Sequence, residues 1–241
     1  MRTRRAQRKK RLDLRLLLAS LLLLVGCGLL LLDPIKQHLI QQGIDANAVS
    51  RLKRRDIEQN LQRSVSYDFQ AVKPITALNV IQNAQKQQDL PTIGAVAIPS
   101  VQLNLPIYLG VTDEGMYLGA CTLVENQQMG QSNYTLGSHH SIQKGMLFEP
   151  LKRVERGTIV YLTDLDKIYQ YKVTNVEIID PHRLDVLDPT DKATITLLTC
   201  DDTLENRLIV QGELEQSYPI QSAPSDVLKV FDLSVSVPSN S

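Results

Sequence analysis

The chain has little cysteine, with three residues in 241. That is too few for the disulfide framework that holds small secreted domains together. Cys27 lies inside an apolar run, so only Cys121 and Cys200 remain to pair, and their Cα separation decides whether they can. No glycine-rich phosphate loop, no internal repeat and no metal-type Cys/His spacing is present. This removes P-loop nucleotide chemistry, solenoid folds and structural zinc from consideration. A basic surface is also missing from most of the chain. The net charge of zero conceals eight Lys/Arg against Asp13 alone in residues 1–15, a local +7 that leaves −7 for the remainder. A domain of that sign lacks the basic face that nucleic acid requires, so no nucleic-acid partner is expected.

Long apolar runs are absent with one exception. Leu16 to Leu32 is uncharged and mostly leucine, about 25 Å as a helix at ~1.5 Å per residue. Arg15 can snorkel, and Leu12, Leu14 and Ile35 extend the apolar length toward the ~30 Å hydrocarbon layer. The cationic residues before the span, against Lys36 alone just after it, place the N-terminus in the cytoplasm and everything from Asp33 onward outside. No small-x-small cleavage site precedes the polar region. Leu24-Val25-Gly26-Cys27 has the form of a lipidation site, but Gly28 to Leu32 continues apolar where a polar tether is usual. An uncleaved single-pass anchor is therefore expected.

The organisation that follows is a cytoplasmic basic segment 1–15, an anchor 16–32, an extracellular stalk 33–75, a catalytic domain 76–231 and a flexible tail 232–241. The stalk is glutamine-rich, with a weakly amphipathic helical stretch around Asp45–Arg63. A second helix is predicted over Thr76–Gln88, where Leu78, Ile81 and Ala84 recur at helical spacing. From Pro91 short β-branched or alternating runs take over, at Ile93–Ile98, Leu103–Leu109, Ser132–Gly137, Thr158–Leu162, Ile168–Ile179, Thr194–Thr199 and Leu208–Leu214. Seven or eight strands with little helix between them predict a mainly β fold, a closed or nearly closed barrel. Ser225 to Phe231 reads as a terminal helix with Ser225 as its cap.

Chemistry concentrates in three places. Cys200 ends the run Thr196-Leu197-Leu198-Thr199-Cys200, where the apolar strand breaks into Asp201-Asp202. A free strand cysteine often simply packs, but at a strand end its sulfur can reach a groove. An ordinary thiol is only a few per cent thiolate at neutral pH, so a nucleophile there needs a base or a cation beside it. His139 and His140 supply the first and Arg207 the second, as a fixed donor for a carbonyl or oxyanion. In extended chain the two histidines point opposite ways, so only one can face Cys200. Spacing alone leaves that choice open. Asp201 and Asp202 are candidates to orient a histidine, or else belong to a solvated turn.

Taken together these segments resemble the sortases, and most closely the class A or housekeeping sortases of Gram-positive bacteria. Thr-Leu-Leu-Thr-Cys is similar to that family's Thr-Leu-x-Thr-Cys signature, Leu136-Gly-Ser-His-His140 to its Leu-Ala-Ser-His-His segment, and Arg207-Leu-Ile-Val-Gln-Gly-Glu-Leu214 to its arginine strand. Gly94–Pro99, Met146–Leu151, Ile159–Asp164 and Ala223–Leu228 extend the likeness. The resemblance implies a sortase-type eight-stranded β-barrel with short helices, and a cysteine transpeptidase with no cofactor; the acidic cluster that makes some class A members calcium-responsive is not evident, so no metal is expected. It assigns catalysis to Cys200, His139 and Arg207. It also implies a groove lined by Ala120, Gly137, Leu198 and Thr199, closed by the Asp180–Ala193 connection with Val186 and Leu187. The implied substrates are secreted proteins with a Leu-Pro-x-Thr-Gly sorting signal, and the implied acceptor is a lipid-linked peptidoglycan precursor.

Two departures from the family pattern are expected to matter. Gly137 stands where alanine is usual, adding backbone freedom beside the histidine, and Cys121 replaces a small residue near the groove, where it could oxidise with Cys200. A class C pilin-polymerising sortase is the nearest rival. It would carry an Asp-Pro-aromatic lid and a second C-terminal apolar segment, whereas Asp33-Pro34 is followed by Ile35 and the tail is short. A non-enzymatic wall-binding module on the same barrel is the rival of another class, and the intact Cys/His/Arg set argues against it.

Overall fold

The computed structural model describes residues 2–69, 72, 90–140, 145–201 and 203–233. The helix predicted over Thr76–Gln88 lies outside them. Eight strands close into a barrel in the order β1-β2-β3-β4-β7-β8-β6-β5. They are β1 (Thr92–Ile98), β2 (Leu103–Tyr108), β3 (Ala120–Thr122), β4 (Asn133–Gly137), β5 (Ile159–Thr163), β6 (Lys167–Ile179), β7 (Thr194–Cys200) and β8 (Arg207–Pro219). Two neighbouring pairs, β2/β3 and β4/β7, are parallel, and the rest are antiparallel. Closure removes the free edges that so much β-branched sequence would otherwise expose.

Seven of these strands coincide with the predicted runs, although β8 continues five residues further, to Pro219. β3 is missing from the sequence reading because three residues are too few to display a period. The helix before it, α3 (Asp113–Leu118), is also short, yet it carried a readable signal. Thr112 caps it by accepting from the Gly115 amide at 2.9 Å, and Asp113 and Glu114 occupy its first turn.

β1 is buried along its whole length because both faces are covered. Val96 and Ile98 join the barrel core, while Ala95 and Ala97 pack outward against Val227, Leu228 and Phe231. The small alanines let the terminal helix α4 (Ser225–Lys229) sit close. Each large apolar side chain so buried contributes about 1.5–3 kcal/mol. Ser225 is the first residue of α4 and Pro224 precedes it, so the cap expected at Ser225 is displaced by one position. Gly94 sits at a register shift in the β1–β2 pairing, where a Cβ would lie 2.3 Å from the Thr163 carbonyl oxygen. Only glycine permits that approach of β1 to β5.

The N-terminal region differs most from expectation. α1 runs from Arg2 to Ala46 without a break at the predicted anchor–stalk junction and carries Pro34 inside it. Residues Leu16–Ala46 form a helix long and apolar enough to cross a membrane, with a mean hydropathy of 2.5 over an 18-residue stretch. Its last turns are not a free stalk. Ile40 and Ile44, one turn apart, are buried in the main core with Tyr117, Leu118 and Leu147. The helical stretch expected at Asp45–Arg63 is broken into a 3-10 turn (Val49–Arg51) and α2 (Arg54–Asn60), each burying one apolar residue, Val49 and Ile57. Side-chain spacing recorded those apolar positions but not that the barrel would receive them.

Candidate active site

Three adjacent strands end together. Cys200 closes β7, and Arg207, the first residue of β8, is its direct antiparallel partner. Directly opposed residues share a face, with Cβ atoms about 4.5–5.5 Å apart. On the other side β7 runs parallel to β4, with Gly137 opposite Leu198. The chain keeps that alignment beyond β4. The Ser138 amide donates to the Leu198 carbonyl at 3.3 Å, and Thr199 Oγ1 donates to the Ser138 carbonyl at 2.9 Å. One residue further, the His139 amide leaves β7 and donates to the Met116 carbonyl of α3 at 3.1 Å. The structure thus brings Cys200, His139 and Arg207 to one end of the barrel, all partly buried. His140, the alternate residue, instead pairs with Leu147 in an isolated antiparallel bridge.

The turn from Cys200 to Arg207 is ordered from within. Asp201 is nearly buried, and its carboxylate accepts from the Thr203 amide and hydroxyl and from the Asn206 amide and side chain at 2.8–3.3 Å. Burial opposes ionisation of Asp201, but the hydrogen bonds from Thr203 and Asn206 win and hold its carboxyl below the usual range. This corrects one of the sequence alternatives. The Asp201 carboxylate is committed to its own turn rather than to a histidine, while Asp202 lies outside the described residues. Among the described residues Arg207 forms no ion pair, and its guanidinium donates to the Asn206 carbonyl at 3.2 Å.

The remaining predicted groove residues divide by strand alternation. Gly137, Leu198, Cys200 and Ile209 share the outer face of β4-β7-β8. Val186 and Leu187, on the 3-10 turn Leu184–Leu187 of the β6–β7 connection, pack with Leu198, Ile209 and Ile179 on that face. Ala120 and Thr199 do not join them. Ala120 is fully buried, and its neighbour Cys121 takes the position opposite Gly137. Thr199 faces away from Cys200 and straps β7 to Ser138, so its contribution is to hold the strands level.

The β6–β7 connection is tied down by a residue the sequence reading passed over. Asn133, buried at the start of β4, donates from Nδ2 to the Val186 and Asp188 carbonyls at 2.9 and 3.0 Å. Its Oδ1 accepts from Thr196 Oγ1 at 2.8 Å. Asn133→Leu removes these bonds and leaves the buried Val186 carbonyl without its donor, a loss of roughly 1–3 kcal/mol, while the Asp188 carbonyl, on an exposed residue, can turn to water. For the peptide substrate that the sequence resemblance implies, the expected result is a KM raised several-fold with kcat nearly kept, read from steady-state kinetics. Unchanged KM would show that the connection is held by its apolar contacts alone.

Cys121 and Gly137 differ from expectation in their roles. All three cysteines are free. Cys121 is fully buried, with its sulfur 2.7 Å from where a Cβ on Gly115 would lie, and burial pushes its thiol up to about 12. A thiol that is walled in under α3 and kept protonated is a poor partner for oxidation with Cys200. A Cβ on Gly137 would meet Leu123 Cδ2 at 2.8 Å, so this glycine provides room for Leu123. A cavity of about 570 Å³ lies away from the thiol, among Arg54, Tyr67, Gln128, Met129 and Tyr169.

A closed barrel presenting a free cysteine, a histidine and an arginine on three adjoining strand ends has the layout of a thiol-dependent acyl-transfer enzyme. Known proteins bear this out. The sortase domain family matches residues 96–215. Sortase A of Streptococcus agalactiae is 39% identical over 90% of this chain and 91% of its own length. Sortase A of Listeria monocytogenes is 34% identical over 83% and 91%, and the solved structure of the Listeria protein superposes with a TM-score of 0.55 over 58% of this chain and 97% of that one. The chain belongs to the sortase family of cysteine transpeptidases. The eight-stranded barrel predicted for it is the one observed.

Proposed function

We propose that this protein is an anchored class A transpeptidase in which Cys200, His139 and Arg207 process a C-terminal sorting signal. The alignment of β4, β7 and β8 supports the reading, since Cys200 is paired with Arg207 and His139 follows two residues after Gly137, which lies opposite Leu198. Cys200 attacks the Thr–Gly carbonyl of a Leu-Pro-x-Thr-Gly signal. Arg207 holds the developing oxyanion, and His139 protonates the departing glycine amine. The thioester that remains is opened by the amine of a lipid-linked peptidoglycan precursor, with water as a slow competitor. The leucine-proline end of the signal lies along Leu198 toward Val186 and Leu187. Residues 16–32 span the membrane with the basic end in the cytoplasm, so that reaction takes place on the outer face where both substrates are found.

The test uses the full-length protein in detergent with a quenched Leu-Pro-x-Thr-Gly peptide and a short peptide amine. Cleavage between Thr and Gly is expected, with the Thr-terminated half joined to the amine and a peptide of scrambled order left intact. Cutting at another bond, or equal cutting of the scrambled peptide, would contradict the proposed signal.

A further inference from the structure

Glu149 is a charged side chain in an unexpected place. It opens the 3-10 turn Glu149–Arg153 that follows the histidine segment, and it is only 2% exposed. A buried carboxylate is costly unless it is paired and hydrogen-bonded, and this one has three partners. The Gly145 amide donates to its Oε2 at 2.7 Å, Arg153 donates to both oxygens at 3.0 and 3.1 Å, and Lys152 lies 3.0 Å from Oε1. Burial works against its ionisation, but the Gly145 amide and the two cations prevail and hold the carboxyl down at about 2. It is therefore a carboxylate under any physiological condition.

What this anion grips is the segment 145–148, which bonds back to both histidines. Gly145 has a left-handed backbone, φ +84°, which favours glycine. Two residues on, Leu147 pairs with His140, and the Phe148 amide donates to the His139 carbonyl at 3.4 Å. His139 is thus held from two sides, by Met116 of α3 and by segment 145–148. That segment is itself fixed at its start by Glu149. A side chain that must meet a sulfur in one geometry needs such support, because misplacement by about 1 Å can cost a hundred-fold in rate.

We infer that Glu149 is a positioning residue for the reaction, locking Gly145 and through it the backbone that aims His139 at Cys200. The inference rests on the proposed role of His139. Glu149 touches no substrate, so its loss acts on kcat and leaves peptide binding alone.

The test compares Glu149→Ala with Glu149→Gln in the full-length protein. Rates are normalised to the titrated Cys200 thiol, so that a smaller folded fraction does not count as slower chemistry. The glutamine oxygen can still accept from Gly145, whereas alanine cannot. Glu149→Ala is expected to lose about ten- to a hundred-fold in kcat with KM within about twofold, and Glu149→Gln to recover most of that loss. Amide hydrogen exchange at residues 139, 140 and 145–148 should rise in the alanine variant and remain near wild type in the glutamine variant. Wild-type kcat per thiol in Glu149→Ala, or equal loss in both variants, or a change confined to KM, would overturn the inference. His139→Ala run alongside keeps the two readings apart. If it turns over normally the role of His139 fails, whereas an inactive His139→Ala beside a fully active Glu149→Ala sinks only the role of Glu149.

Discussion

Cys200→Ala is expected to abolish both cleavage and transfer, lowering turnover by on the order of 10⁴ or more while the barrel remains folded. The size follows from the chemistry, since removing the nucleophile of a covalent mechanism leaves no alternative first step of comparable barrier. A factor of 10⁴ corresponds to about 5.5 kcal/mol of transition-state stabilisation. Folding should survive because Cys200 is at a strand end and only partly buried, and its backbone pairing with Arg207 does not involve the sulfur. Steady-state assay with the sorting peptide, together with a thermal melt, measures both halves. A variant that still cleaves at an appreciable fraction of the wild-type rate would require a nucleophile elsewhere. Cys121 is poorly suited to that role, being walled in and protonated.

His139→Ala is the second large effect. Proton transfer by a positioned group contributes about 10²–10⁴-fold, and loss of that order is expected in kcat/KM, with His140→Ala keeping most of its activity. The contrast comes from the backbone. β4 and β7 stay bonded through Ser138 and Thr199, so His139 follows at the end of the barrel where Cys200 closes β7, while His140 turns to pair with Leu147. Arg207→Ala should fall in a similar range, since a fixed donor to an oxyanion is worth about 10²–10³ in kcat. Parallel kinetics of the two histidine variants check the assignment, and the reverse order of loss would transfer the role to His140.

How far the sequence disclosed this depends on the distance over which each feature is encoded. The long strands were legible because β-branched residues at short period announce themselves locally, as in Thr194–Cys200 and Lys167–Ile179. The candidate set was legible in kind, because a cysteine at a strand end, an arginine opening the next strand and a histidine pair are recognisable residue types. Their alignment was not, since it depends on β4 pairing with β7 across more than fifty intervening residues. Asn133 and Glu149 escaped for the same reason. Each is an ordinary polar residue until the fold brings Val186 or Gly145 to it. The docking of α1 was hidden differently. Ile40 and Ile44 have helical spacing, but a lone stripe on a glutamine-rich helix does not reveal which surface it will cover.

The strand alignment also explains why small changes near the thiol are not interchangeable. Gly137 leaves space for Leu123, Thr199 straps two strands, and Asp201 organises the turn that separates the sulfur from the guanidinium. Each of these bears on how the strand ends around Cys200 and Arg207 are spaced.

The central claim is that the acyl group resides on Cys200 between cleavage and transfer. Intact-mass analysis of the full-length protein, quenched in acid soon after mixing with a sorting peptide and without an amine, tests it directly. The account predicts an adduct equal to the peptide up to and including threonine, mapped to Cys200 by fragmentation and discharged when the amine is added. Turnover at the full rate with no adduct, or an adduct on any residue other than Cys200, would contradict it.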